Sequence, residues 1–186
     1  MSSLTSSDKD AIKIKGNFVM YIWMFLFIFG GLIACVVLIQ NGLKFESNYA
    51  LIYLGGGLLF FPFFLYEAIW ALPSLAPGKV LFTIIPGEKG KIVSKKREVQ
   101  FSNIKNIDYK RNPINLFNEI HIETFDNKRI KFITYNLLHE VNFYDIFDEH
   151  VYPHLEENAK KVWDRKITND QLLKSMEYER RNHDID

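Results

Sequence analysis

Two stretches of this chain lack the mixture of polar and apolar positions found elsewhere in it. Residues 18–39 (FVMYIWMFLFIFGGLIACVVLI) run for 22 positions without a charge, and residues 50–72 (ALIYLGGGLLFFPFFLYEAIWAL) carry only Glu67. At ~1.5 Å of rise per residue, either run covers a hydrocarbon core ~30 Å thick. Lipid offers no partners to unpaired backbone groups, so both runs are predicted to be transmembrane helices, with residues 40–49 as the connecting loop. Buried helices of soluble proteins are shorter and striped with polar residues.

The period changes after a short Pro-containing linker at residues 73–78. Residues 79–85 (KVLFTII) read as a strand, residues 86–90 as a turn, and residues 91–94 as a second strand. Residues 97–101 alternate with Val99 and Phe101 on one face, and residues 104–110 form a fourth segment that ends at Asn112-Pro113. In residues 119–124, Ile120 and Ile122 oppose Glu119, His121 and Glu123. Asp126-Asn127 then makes a hairpin turn into residues 129–135. Short connections predict an antiparallel meander. Leu137, Val141, Tyr144, Phe147 and Val151 recur at helical spacing, with Asn136 as N-cap and Pro153 as stop. Residues 155–186 read as a charged, weakly amphipathic helical tail, and residues 1–17 as a frayed polar one.

Several features of the apolar runs carry further expectations. Gly30, Gly31 and Ala34 match Gly55, Gly56 and Gly57 in depth once the runs fold antiparallel, so these small residues are the expected helix-packing positions. A contact between copies of the chain is the competing reading. Pro62 removes one hydrogen bond within the second run. Glu67 is an ionisable group inside a span. It either reaches the nearby interface or a local hydrogen-bond partner, or it serves a proton or ion role in an oligomer. Lys9, Lys13 and Lys15 precede the first run and Lys79, Lys89, Lys91, Lys95, Lys96 and Arg97 follow the second, against Lys44 alone in the loop. The positive-inside rule therefore places both termini in the cytoplasm. Leu32-Ile33-Ala34-Cys35 fits a lipoprotein cleavage box, but the apolar run continues past Cys35 to Ile39, unlike a signal peptide.

The order of elements, the phrase REVQFSNIKNIDY, the hairpin through FDNKRIKF and the following amphipathic helix resemble the bacterial pleckstrin-homology-like domain. The resemblance covers residues 79–154 and the two-span arrangement before them. It implies a membrane α-helical hairpin followed by an α+β cytoplasmic domain, in which a bent antiparallel β-sheet is capped by a C-terminal α-helix. It also implies a binding scaffold in the inner membrane of a bacterium. The charged tail after His154 is a departure from that pattern.

Composition hides this layout, because 48% hydrophobic residues and a net charge of +1 suit an ordinary globular protein. Charge is nonetheless segregated. Residues 79–131 hold 12 Lys and Arg against 6 Asp and Glu, while residues 132–186 hold 7 against 12. Lys89, Lys91, Lys95, Lys96 and Arg97 are therefore candidates for binding an anionic membrane surface or a partner, unless they are only topology signals and solvated turns. The domain as a whole is near neutral, which argues against nucleic acid. Cys35 is the only cysteine, so the chain forms no internal disulfide and no cysteine metal site. His150 and His154 have Pro153 between them, and His139-Glu140 lacks the second histidine of a zinc-protease motif, with Phe143 in its place.

No catalytic residues, cofactor or metal are expected. The sequence predicts a membrane-anchored interaction or scaffold protein, an accessory of an envelope or secretion assembly, whose partners are the bilayer and an unidentified protein, with homo-oligomers open. Immunity to a membrane-active toxin, or a small oligomeric channel using Glu67, are the alternatives.

Overall fold

A computed structural model describes residues 11–169 apart from Pro77, Glu88 and Lys96, together with Lys174 and Tyr178. Lys9, Lys96 and most of the expected helix beyond residue 169 therefore lie outside the described residues. The chain divides into two units, residues 17–78 and the remainder.

The first unit is a pair of helices, α1 (Phe18–Lys44) and α2 (Ala50–Ala71), followed by a short 3-10 turn at Leu72–Ser74. Asn17 starts α1 by accepting a hydrogen bond from the Val19 amide at 2.9 Å, which satisfies one of the open N–H groups of the first turn. Phe45 ends it in the left-handed conformation, its N–H donating to the Gly42 carbonyl. The helix is thus longer than the apolar run that predicted it, and residues 45–49 alone make the connection. At 27 and 22 residues, the helices extend for roughly 40 and 33 Å. Their outer faces carry exposed Trp23, Phe27, Leu51, Ile52 and Leu59, and both helices are long and apolar enough to cross a membrane.

The helices run antiparallel. As α1 advances from Met24 through Gly31 and Cys35 to Gly42, its neighbours on the other side retreat from Ser74 through Phe64 and Gly57 to Ala50. A Cβ on Gly57 would lie 2.7 Å from Ile39 Cγ1 and 2.9 Å from the Cys35 carbonyl oxygen. One on Gly42 would lie 2.6 Å from the Leu54 nitrogen. Hydrogen in place of a side chain is what permits this approach. Gly31 rests on the ring of Phe64. The expected packing set is therefore corrected: Gly31 and Gly57 lie in the contact, Gly30, Gly55 and Gly56 face open space, and Gly42 joins it.

The second unit contains two antiparallel sheets. The first has the order β1-β2-β3-β4, built from β1 (Ile12–Lys15), β2 (Val80–Ile85), β3 (Lys91–Ser94) and β4 (Arg97–Gln100). The second is β5 (Ile104–Arg111), β6 (Asn118–Thr124) and β7 (Arg129–Ile133). Consecutive strands are neighbours throughout each sheet, as short turns require. Residues 12–15 were expected in a frayed tail; instead they pair with β2, Ile12 opposite Ile84 and Lys15 opposite Val80. The alternation Ile-Lys-Ile-Lys suits an edge strand with one buried face, and Ile14 is that face's buried residue.

Helix α3 (Glu140–His150) covers both sheets. Its Phe147 ring is 6.3 Å from Phe82 on β2, and its Phe143 ring is 4.9 Å from Tyr109 on β5. Asn136 does not cap it. Asn136 adopts a left-handed conformation and uses its side chain to accept from the Asn118 amide and donate to the Leu116 carbonyl, while the His139 ring caps α3 through the Val141 amide. Helix α4 (Glu157–Asn169) falls in the segment expected as a charged helical tail, and it packs on the domain. Trp163 is buried against Phe143 and Phe147 at 6.1 and 6.0 Å, and its indole donates to Asp148 at 2.7 Å. Lys166 bonds Asn106, the Ile107 carbonyl and Asp108 on β5.

Candidate functional site: a basic cleft on the sheet domain

The β3–β4 connection is a two-residue turn between the paired residues Ser94 and Arg97. Lys95 lies in it with φ 53°, a left-handed conformation that few residues other than glycine adopt readily. This geometry turns Lys95 and Arg97 toward β7. There Lys131 and, just beyond the strand, Tyr135 face them, and Lys79, the residue before β2, closes the group. Together these residues line a cleft of about 460 Å3 whose apolar surface comes from Val80, Leu81, Phe132 and Ile133.

Four basic residues from three segments thus line the cleft, and no carboxylate lines it among the described residues. The Lys79 ammonium sits over the Tyr135 ring, 4.7 Å from its centroid, and Lys95 approaches the same ring at 5.9 Å and its hydroxyl at 3.4 Å. Cation–π attraction replaces an acidic partner for these two amines. Arg97 donates through Nη1 to the Lys131 carbonyl at 2.6 Å, which braces β7 against the turn. The Lys131 amine is 3.9 Å from Glu119, itself buried and held by Asn112 and His121. Burial, then the neighbouring Lys95 ammonium, lowers the Lys79 amine below the usual lysine value.

The residues expected from sequence separate here. Lys95 and Arg97 enter the cleft. Lys91 is at the far end of β3, in an ion pair with Glu98 at 2.8 Å, and Lys89 is exposed in the β2–β3 turn. Lys96 lies outside the described residues. Lys79 was legible only as a topology signal, and Lys131 and Tyr135 were not singled out. The register of β7 brings them in, and no local pattern marks it.

The remaining candidates occupy other places. Glu67 is buried, at 4% exposure. Cys35 is buried in α1, and Ala34 is exposed beside it. His154 stacks on Phe101 at 5.6 Å and His139 caps α3, so both have packing roles. Among the described residues, no group of three or more His, Cys, Asp or Glu side chains is arranged to hold a metal ion.

Fold and site define a class: a pair of apolar helices of membrane-spanning length joined to an α+β domain with a basic cleft. Within that class, the chain belongs to a family of unknown function, DUF5381, whose sequence profile matches residues 10–173. It is similar to the "Uncharacterized lipoprotein YfjD" of Bacillus subtilis (strain 168), at 32% identity over 166 residues, covering 87% of this chain and 90% of that protein. It is also similar to the "Uncharacterized protein YfjE" of the same organism, at 37% identity over 134 residues, covering 69% of this chain and 88% of that one. No solved structure matches the chain.

Proposed function

We propose that this protein is a membrane-anchored interaction module whose α+β domain engages the anionic surface of the membrane that holds it. The observation that carries the reading is the convergence of Lys79, Lys95 and Arg97 on one cleft that no carboxylate lines among the described residues. Each such cation near an anionic leaflet contributes ~1 kcal/mol. Chain connectivity supports it, since Lys79 is five residues past Ser74, a tether of at most about 18 Å.

The strand pairing supports a hairpin topology with both flanks of the helices on one side. β1 precedes α1 and β2 follows α2, yet they form one sheet, which requires that the chain cross the bilayer twice or not at all. Positive flanking residues favour the cytoplasmic side. The name of the lipoprotein relative raises processing at Cys35 as an alternative, but cleavage there would remove β1 and residues 18–34 of α1. A four-stranded and a three-stranded antiparallel sheet covered by a helix support the pleckstrin-homology-like reading of the domain.

Photoreactive groups placed at Lys95 and at exposed Glu157 in intact membranes test the proposal. Lipid adducts at Lys95 well above those at Glu157 are expected. Capture of a single protein at Lys95 in place of lipid overturns the surface reading in favour of a protein partner.

A further inference from the structure

We infer that the cleft is a discrete site for one phosphomonoester group presented by a lipid headgroup, with Tyr135 as the residue that positions its two lysines. The inference rests on the surface-binding reading and narrows it from diffuse attraction to a single ligand chemistry.

The arrangement of donors is the first argument. The Lys79 and Lys95 ammonium groups share one aromatic ring at 4.7 and 5.9 Å, so two like charges are held near each other. An anion within reach of both relieves that repulsion. Arg97 spends one N–H on the Lys131 carbonyl and keeps the rest of its planar fork for a phosphate oxygen. The Tyr135 hydroxyl accepts from Lys95 and retains its own proton for donation. These groups suit an anion with three free oxygens and a charge of about −1.5 to −2, which a phosphomonoester carries at neutral pH. A phosphodiester offers two free oxygens and a single charge.

Shape and backbone provide the second. A cleft of about 460 Å3 exceeds what a bare phosphate fills, and its apolar side, from Val80, Leu81, Phe132 and Ile133, suits the carbon-bearing ester arm. Lys95, Tyr135 and Asn136 have φ of 53°, 54° and 56°, so three non-glycine residues at or beside this cleft hold a left-handed backbone. Such conformations persist where the surroundings impose them, and they concentrate at binding sites. Here Asn136 is clamped by its bonds to Asn118 and Leu116. The Tyr135 ring is thereby fixed before any ligand arrives.

The test uses the full chain in phosphatidylcholine nanodiscs doped with either phosphatidic acid or phosphatidylglycerol, at mole fractions giving equal surface charge. Acetylation rates at Lys79 and Lys95 are read by mass spectrometry, with exposed Lys161 as reference. Phosphatidic acid is expected to slow both sites by about fivefold relative to phosphatidylglycerol, with Lys161 unchanged, and Arg97→Gln to reduce that difference. Equal protection by the two lipids overturns the discrete site and leaves the surface reading standing. Absence of protection by either lipid and by dissolved glycerol 3-phosphate overturns both. Protection by dissolved glycerol 3-phosphate in undoped discs, without protection by phosphatidic acid, retains the phosphomonoester chemistry and overturns the lipid source.

Discussion

Lys15 pairs with Val80 in adjacent antiparallel strands, although both apolar helices lie between them in the chain. The helical hairpin is therefore an insertion between two neighbouring strands of one sheet, and the strand before it is part of the domain's structure. Ile14 buries its side chain in this pairing. Ile14→Ala is expected to destabilise the domain by ~2 kcal/mol, read from chemical unfolding of the purified protein. In a Cys35→Ala background, single cysteines at Lys13 and Lys89 should label from the same side of sealed vesicles, and one at Ser47 from the opposite side. Labelling of Lys13 and Lys89 from different sides would rule out the hairpin.

The contact between α1 and α2 depends on which glycines face it. Gly57→Leu forces a side chain against Ile39 and the Cys35 carbonyl, so the detergent-solubilised protein should lose ~2 kcal/mol or more of stability. Gly55→Ala and Gly30→Ala meet open space and are expected to stay within ~1 kcal/mol of the parent, and a thermal-unfolding series of the three variants separates the positions.

Helix α4 is an integral part of the domain. Trp163→Ala empties the space against Phe143 and Phe147 and leaves Asp148 without its indole donor. A loss of ~3 kcal/mol is expected in urea unfolding. If the unfolding midpoint were unchanged, α4 would be an appendage.

Acid should loosen the attachment of α4 to β5 through Asp108. Burial works to raise its carboxyl, but hydrogen bonds from Lys110 and Lys166, with their charges, outweigh burial and hold it below the usual carboxylate range. A carboxylate whose folded value is depressed binds fewer protons in the folded state. Its contribution is therefore complete above the ordinary value of about 3.9 and is lost as pH falls through the lower folded one. Asp108→Asn is expected to flatten the stability curve below about pH 4, measured by unfolding at a series of pH values. A curve as steep as that of the parent would assign the acid sensitivity to other carboxylates.

Much of this architecture is set by the sequence acting locally. Two unbroken apolar runs of spanning length predict helices, because in a bilayer the backbone would have no other way to pair its hydrogen-bonding groups. β3 begins and ends where its alternation predicts, and β2, β4, β5, β6 and β7 depart from prediction by one or two residues at an end. A period of two, interrupted by turn residues, is a local signal. The tertiary structure decided what depends on partners distant in the chain. Ile12–Lys15 is too short to be read as a strand until β2 supplies its hydrogen bonds. Trp163 was lost in a charged segment until α3 offered a surface to bury it. Gly42 and Gly57 were chosen over Gly30, Gly55 and Gly56 by helix rotation, which small-residue content does not encode. The cleft likewise required the β3–β4 turn and β7 to meet, so that Lys79, Lys95, Arg97 and Lys131 share a surface with Tyr135. Charge and periodicity are written along the chain, whereas a site made from three separate segments exists only once packing has brought them together.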